Sequence, residues 1–230
     1  MISFQNNNYW LLCLHIVNMN FTFPFNTCEI PKKDGIAQPH STIINIILCI
    51  IIFLFLLQSN NLYSRLFLFF VLLFNIFHTL SHAIHVSNFK NIQFLLTHYS
   101  AILSSFFLLC LLSNITKYTL KPYQIIGLVS LLLFDIILIY YDVSHVYNII
   151  VFLIILFSIM IIFYKYLSRK IKQNIVVIIG FSCLVLFFQI NEIIFCESLL
   201  QKYGNIPFHT ILEASAFIPI ILLCYSFYKI

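Results

Sequence analysis

The chain reads as an all-α integral membrane protein, a seven-helix transmembrane bundle, and three observations lead there. Hydrophobic residues make up 62% of the 230 positions and charged residues only 8%, whereas ordinary globular domains carry roughly 25% charge. The 12 basic and 7 acidic side chains are too few to cover the surface of a soluble fold of this size. The apolar residues are gathered into seven runs, each near the length of about 20 residues that carries a helix across a bilayer. No alternating strand pattern with dense turn signals accompanies them, which argues against a β-barrel. A net charge of +5 spread over such a chain makes no nucleic-acid surface.

In order, the expected helices are 41–58, 64–86, 93–114, 122–141, 146–164, 174–195 and 207–228. Polar breaks separate them: Gln58 to Asn61, Asn88 to Asn91, Lys117 to Pro122, Asp142 to His145, Lys165 to Asn174, and Glu197 to Pro207. These connections are too short to hide a soluble domain. Residues 1–40 form an extramembrane or interfacial segment, and residues 41–230 form the transmembrane domain. Within the first part, Tyr9 to Val17 is apolar but too short to span, and no basic stretch precedes it as in a signal peptide. It reads either as an interfacial helix or as an extension upstream of a start at Met19.

Flanking cations set the expected orientation. The side holding the N-terminal region and the loops after helices two, four and six carries Lys32, Lys33, Lys90 and Lys202. The opposite side carries Arg65, Lys117, Lys121, Lys165, Arg169, Lys170, Lys172 and Lys229. The richer side is expected to be cytosolic, with the N-terminus non-cytosolic and the C-terminus cytosolic.

Ionisable residues inside membrane helices are costly and mark function, and here their depths agree. His78, His82 and His85 lie late in helix two, His98 early in helix three, Asp135 late in helix four and Glu192 late in helix six. His209 and Glu213 open helix seven. With helices alternating in direction, all fall towards the non-cytosolic end. His78, His82 and His85 are spaced i, i+4 and i+7 on one stripe beside Ser81, and His209 and Glu213 are spaced i, i+4. Two such pairs at one depth can supply the tetrahedral imidazole and carboxylate set that zinc prefers. A lone membrane histidine more often makes an interhelical hydrogen bond; the matched depth of the group favours a metal. His78, His209 and Glu213 are the first-choice ligands, with His82 or His98 as a fourth ligand or proton carrier. Asp135 and Glu192 read equally well as supports for those ligands or as helix-packing polar groups.

Of seven cysteines, Cys49, Cys110, Cys183 and Cys224 lie within helices as small buried hydrophobes. Cys28, before helix one, and Cys196, after helix six, share the non-cytosolic side, where an oxidising compartment permits a bridge.

Taken in order, Cys28-Glu29, Ala37-Gln38-Pro39 leading to Asn45, Phe77-His78-Thr79-Leu80-Ser81, then Glu192, Cys196 and His209 resemble a known family. Over about residues 26–228 the chain looks like a divergent member of the alkaline ceramidase group, within the CREST superfamily of seven-helix metal hydrolases. The resemblance implies a zinc ion held by three histidines and a water attacking the amide of a ceramide-type lipid. It also implies a disulfide like Cys28–Cys196 and, in some members, a calcium site near N-terminal acidic residues, here Glu29. Several positions depart from the pattern. The family's last histidine is Glu213, its serine four residues before the helix-two histidine is Phe74, its helix-three aspartate aligns with Thr97, and the acidic residue of its Ala-Glu segment is Gln38. The last change weakens a calcium site. Ser81, His82 and His98 are placed to replace the lost groups.

The functional expectation is a zinc-dependent hydrolase of a ceramide-like lipid amide, with its substrate held in the bilayer and no nucleic acid or obligate protein partner. Its alternative is a non-catalytic seven-helix lipid-binding or receptor-like protein with a structural polar cluster. A haem or metal transporter ranks third: the chain has only four glycines, and it shows no broken helices or internal repeats.

Overall fold

Hydrocarbon offers no partner to a backbone N–H or C=O, so long apolar runs close their hydrogen bonds within themselves as helices. The computed structural model describes residues 32, 34–84, 90–141, 145–203 and 208–229, and these form seven helices long and apolar enough to cross a membrane. They are α1 (Pro39–Gln58), α2 (Leu62–Ala83), α3 (Lys90–Thr116), α4 (Pro122–Tyr140), α5 (His145–Tyr164), α6 (Arg169–Tyr203) and α7 (Phe208–Phe227). The protein is an all-helical, multi-pass integral membrane protein. No strand occurs among the described residues. Cys28, Glu29 and His85 lie outside them.

Local chemistry explains the boundaries. Pro39 and Pro122 open α1 and α4, where a missing N–H costs nothing. Asn61 caps α2, its Oδ1 accepting from the amides of Tyr63 at 2.9 Å and Ser64 at 3.3 Å. At the head of α4 the Gln124 side chain accepts from the Lys121 amide at 2.9 Å. The sixth helix departs most from expectation, continuing past residue 195 to Tyr203. Its apolar span closes at Glu192, but no glycine or proline interrupts the polar stretch until Gly204, so the helix runs on.

Cross-helix bonds show that neighbours alternate in direction. At one end, the Gln38 amide before α1 donates to the His82 carbonyl of α2 at 2.9 Å. Ser41 of α1 meets Thr210 of α7 there at 3.5 Å. At the other end, Ser64 of α2 donates to the Phe227 carbonyl of α7 at 2.6 Å, and Asn174 of α6 donates to Ser226 of α7 at 2.9 Å. Fully buried Phe67, Leu108, Ile155, Ile159, Phe163 and Phe227 fill the end where α2 and α6 begin. The end where α1 and α7 begin buries Asn45, His82, His98, His209 and Glu213 instead. Large side chains such as Ile43, Ile126, Ile161 and Val176 face outward, as lipid contact requires. α4 packs outside the ring of the other six, against α5 and the edge of α3.

Candidate metal centre

The i, i+4 spacing of His78 and His82 sets two imidazoles edge to face on the inner side of α2, with Nε2 atoms 3.2 Å apart. From α7 the same spacing brings in His209 and Glu213. One carboxylate oxygen is the focus: Glu213 Oε1 lies 2.9 Å from His78 Nε2, 3.2 Å from His82 Nε2 and 3.1 Å from His209 Nε2. Its other oxygen accepts from Asn45 Nδ2 of α1 at 3.1 Å. Three helices therefore meet at one carboxylate, which is only 6% exposed.

Two of the rings are held from behind. His82 Nδ1 donates to Gln38 Oε1 at 2.5 Å. His209 Nδ1 donates to Glu192 Oε2 of α6 at 3.0 Å. Each bond puts the proton on Nδ1 and leaves a lone pair on Nε2, aimed at Glu213 Oε1. Acceptors facing an acceptor at about 3 Å repel unless a positive charge, a metal ion or added protons, lies among them. His209 Nε2 is buried and makes no hydrogen bond of acceptable geometry.

This donor set suits a small cation. Four ligands tetrahedral about zinc at roughly 2.0–2.1 Å lie about 3.3 Å from each other, close to the 2.9, 3.1 and 3.2 Å separations found. The ligand atoms of His78, His82 and Glu213 all lie within 4.8 Å of one another and form a group able to hold a metal ion. His209 joins through Glu213.

The other sequence-predicted residues divide. His98 is buried and lines the cavity below the cluster. Glu192 supports His209 as described. Ser81 is buried but donates to the Phe77 carbonyl of its own helix at 2.9 Å; it does not face the cavity. Asp135 is buried on α4, which contributes no lining residue among those described, and its Oδ1 has no hydrogen-bond partner there. Phe74 stacks on the His78 ring, with centroids 5.9 Å apart and planes 9° apart, so an apolar face covers that imidazole. Cys196 is disulfide-bonded, whereas Cys49, Cys110, Cys183 and Cys224 are free thiols. The Cys28 end of the expected bridge and the Glu29 calcium position lie outside the described residues.

Sequence reasoning did not foresee Gln38 as the partner of His82. The two are 44 positions apart, so no periodicity connects them. The nearest signal was the Ala37-Gln38-Pro39 segment of the family resemblance, where Gln38 stood only for a weakened calcium site.

Below the polar cluster a cavity of about 210 Å³ continues between the helices, lined mostly by apolar side chains such as Val71, Phe152, Leu156 and Ile220. Asn75, Ser104, Ser182 and Gln189 add isolated polar groups to its wall. No protein-family model matches this chain, and no curated protein or solved structure is similar to it at a significant level.

Proposed function

We propose that the protein is a metal-dependent membrane hydrolase acting on the amide bond of a ceramide-like lipid, with zinc as its ion. One observation carries this reading: three imidazoles and a carboxylate converge at the head of an apolar cavity inside a membrane bundle. When bound, zinc supplies a water of lowered pKa and polarises a carbonyl. His78, His82, His209 and Glu213 would hold it, with Asn45 and Glu192 keeping the carboxylate and one imidazole aimed. His98, buried on the cavity wall, is the group placed to carry a proton. The cavity is lined by both His209 and Leu223 of α7, a stretch of about 21 Å at 1.5 Å per residue. An extended acyl chain fits along it, with its amide at the polar head.

A second reading rests on a specific observation. Four protein atoms complete the set, and closed four-ligand sites are commonly structural; Phe74 also puts a ring where a hydrogen-bonding group would be useful. On that reading the protein binds lipid around a structural metal. The purified full chain, assayed for zinc and for fatty-acid release from ceramide in mixed micelles, separates the two. Zinc with chelator-sensitive release supports the hydrolase. Zinc with lipid binding but no release supports the second reading, and folded protein without metal refutes both.

The topology belongs to the same proposal. Arg65, Lys117, Lys121, Lys165, Arg169, Lys170, Lys172 and Lys229 face the cytosol, and the metal end faces a lumen or the outside. There Cys28 pairs with Cys196 and ties the N-terminal segment over the site. Impermeant labelling of single introduced cysteines tests the first point, and lumenal labelling at Arg169 or Lys170 would overturn it. Non-reducing peptide mapping tests the second, where a free Cys28 thiol would overturn the pairing.

A further inference from the structure

The turn that leads into α1 is locked to the end of α2 with more bonds than a helix start needs. The Ala37 amide donates to the Ala83 carbonyl at 3.2 Å, and the Gln38 amide donates to the His82 carbonyl at 2.9 Å. Gln38 also caps α1: its carbonyl accepts from the Thr42 amide at 3.0 Å and from Thr42 Oγ1 at 2.7 Å. With its backbone held on both sides, its buried side chain reaches His82, where Oε1 meets Nδ1 at 2.5 Å. Ala37 and Gln38 are each 0% exposed. A buried amide this constrained orients whatever ring it touches.

We propose that Gln38 is the positioning residue of the metal centre. By accepting from Nδ1–H it holds His82 in the tautomer whose Nε2 lone pair points at the shared focus, so His82 serves as a metal ligand and not as a proton carrier. The segment before α1 thereby becomes part of the site: residues 37–38 must be docked on α2 for the ligand set to be complete, and metal binding and docking stabilise each other. This inference rests on the metal reading above, and goes beyond it in assigning both the role of Gln38 and the coupling.

The physical expectation comes from outer partners of ligating histidines, whose removal typically weakens metal binding roughly 10–100-fold. Gln38→Met keeps the length and every backbone bond but removes the acceptor. Gln38→Glu can only accept, so it tests the direction of the bond. The test uses the full-length protein in detergent, loaded with zinc or cobalt and titrated with a competing chelator. Gln38→Met should lose metal affinity roughly 10–100-fold and change the visible cobalt spectrum as one imidazole leaves. Gln38→Glu should bind at least as tightly as wild type with an unchanged spectrum. Chelation of wild type should raise proteolysis near residues 32–38. For a readout independent of variants, ¹⁵N spectra of the zinc-loaded wild type should show the His82 imidazole protonated at Nδ1 and metallated at Nε2. Gln38→Met affinity within about twofold of wild type, equal losses in both variants, or His82 metallated at Nδ1 would overturn the assignment. If wild type binds no metal, the parent reading fails, whereas normal wild-type binding with an unaffected Gln38→Met variant sinks only this inference.

Discussion

The two ends of this bundle are built by opposite means. Where α2 and α6 begin, Phe67 meets Phe227 edge-on with centroids 6.2 Å apart, and Phe163, Ile159 and Met160 fill the space between helices without exposure. Where α1 and α7 begin, the interior is Gln38, Asn45, His78, His82, Glu192, His209 and Glu213, each bonded to a partner on another helix. Apolar packing between membrane helices tolerates sliding, because lipid tails are as apolar as leucine and little drives one packing over another. Hydrogen bonds and ion pairs do not tolerate it, since each demands one geometry. The lesson is a division of labour, in which one end supplies bulk packing and the other fixes register around a charge.

That contrast can be broken by substitution. The largest effect is expected at the polar end: purified protein should hold about one zinc per chain, and His78→Ala or His209→Ala should remove most of it, measured by elemental analysis. Retention of metal in both variants would mean that the cluster does not hold it. At the opposite end Phe227→Ala should cost about 3–5 kcal/mol of stability through the cavity it leaves, yet keep the metal. Loss of zinc in this folded variant would show the ends to be coupled and end the comparison. Asn45→Leu removes the donor to Glu213 Oε2 and should cost about 1–3 kcal/mol, by leaving a buried carboxylate oxygen unmet. That loss should shrink when Glu213→Gln is added, as a double-mutant cycle would record. The smallest effect belongs to Ser64→Ala, which loses one bond to the Phe227 carbonyl, about 0.5–1.5 kcal/mol. Thermal unfolding should place it well below Phe227→Ala, and a reversal of that order would show that polar contacts dominate this end as well.

The sequence by itself determined the seven spans, because helix length and hydropathy are local properties that a membrane reads directly. Boundaries agree within a few residues except for α6, whose polar extension to Tyr203 lies beyond the bilayer length that set the expectation. It also determined depth: a residue's distance from a helix end is its height in the bundle, so His78, His82, His98, Glu192, His209 and Glu213 were readable as one layer. Azimuth was not. Asp135 has the same height but sits on α4, outside the ring, and helix order around a bundle depends on packing between distant segments. Ser81 shares the height as well, yet one position before His82 is a turn of about 100° on the helix, enough to send its hydroxyl back to Phe77. Only the tertiary structure decided that Glu213 would be the focus of three imidazoles and that Gln38 would hold His82. Apart from the i, i+4 pair of His209 and Glu213, those are contacts between chain segments 44 to 135 residues apart, set by how helices rotate against each other, a degree of freedom that no local pattern of residues encodes.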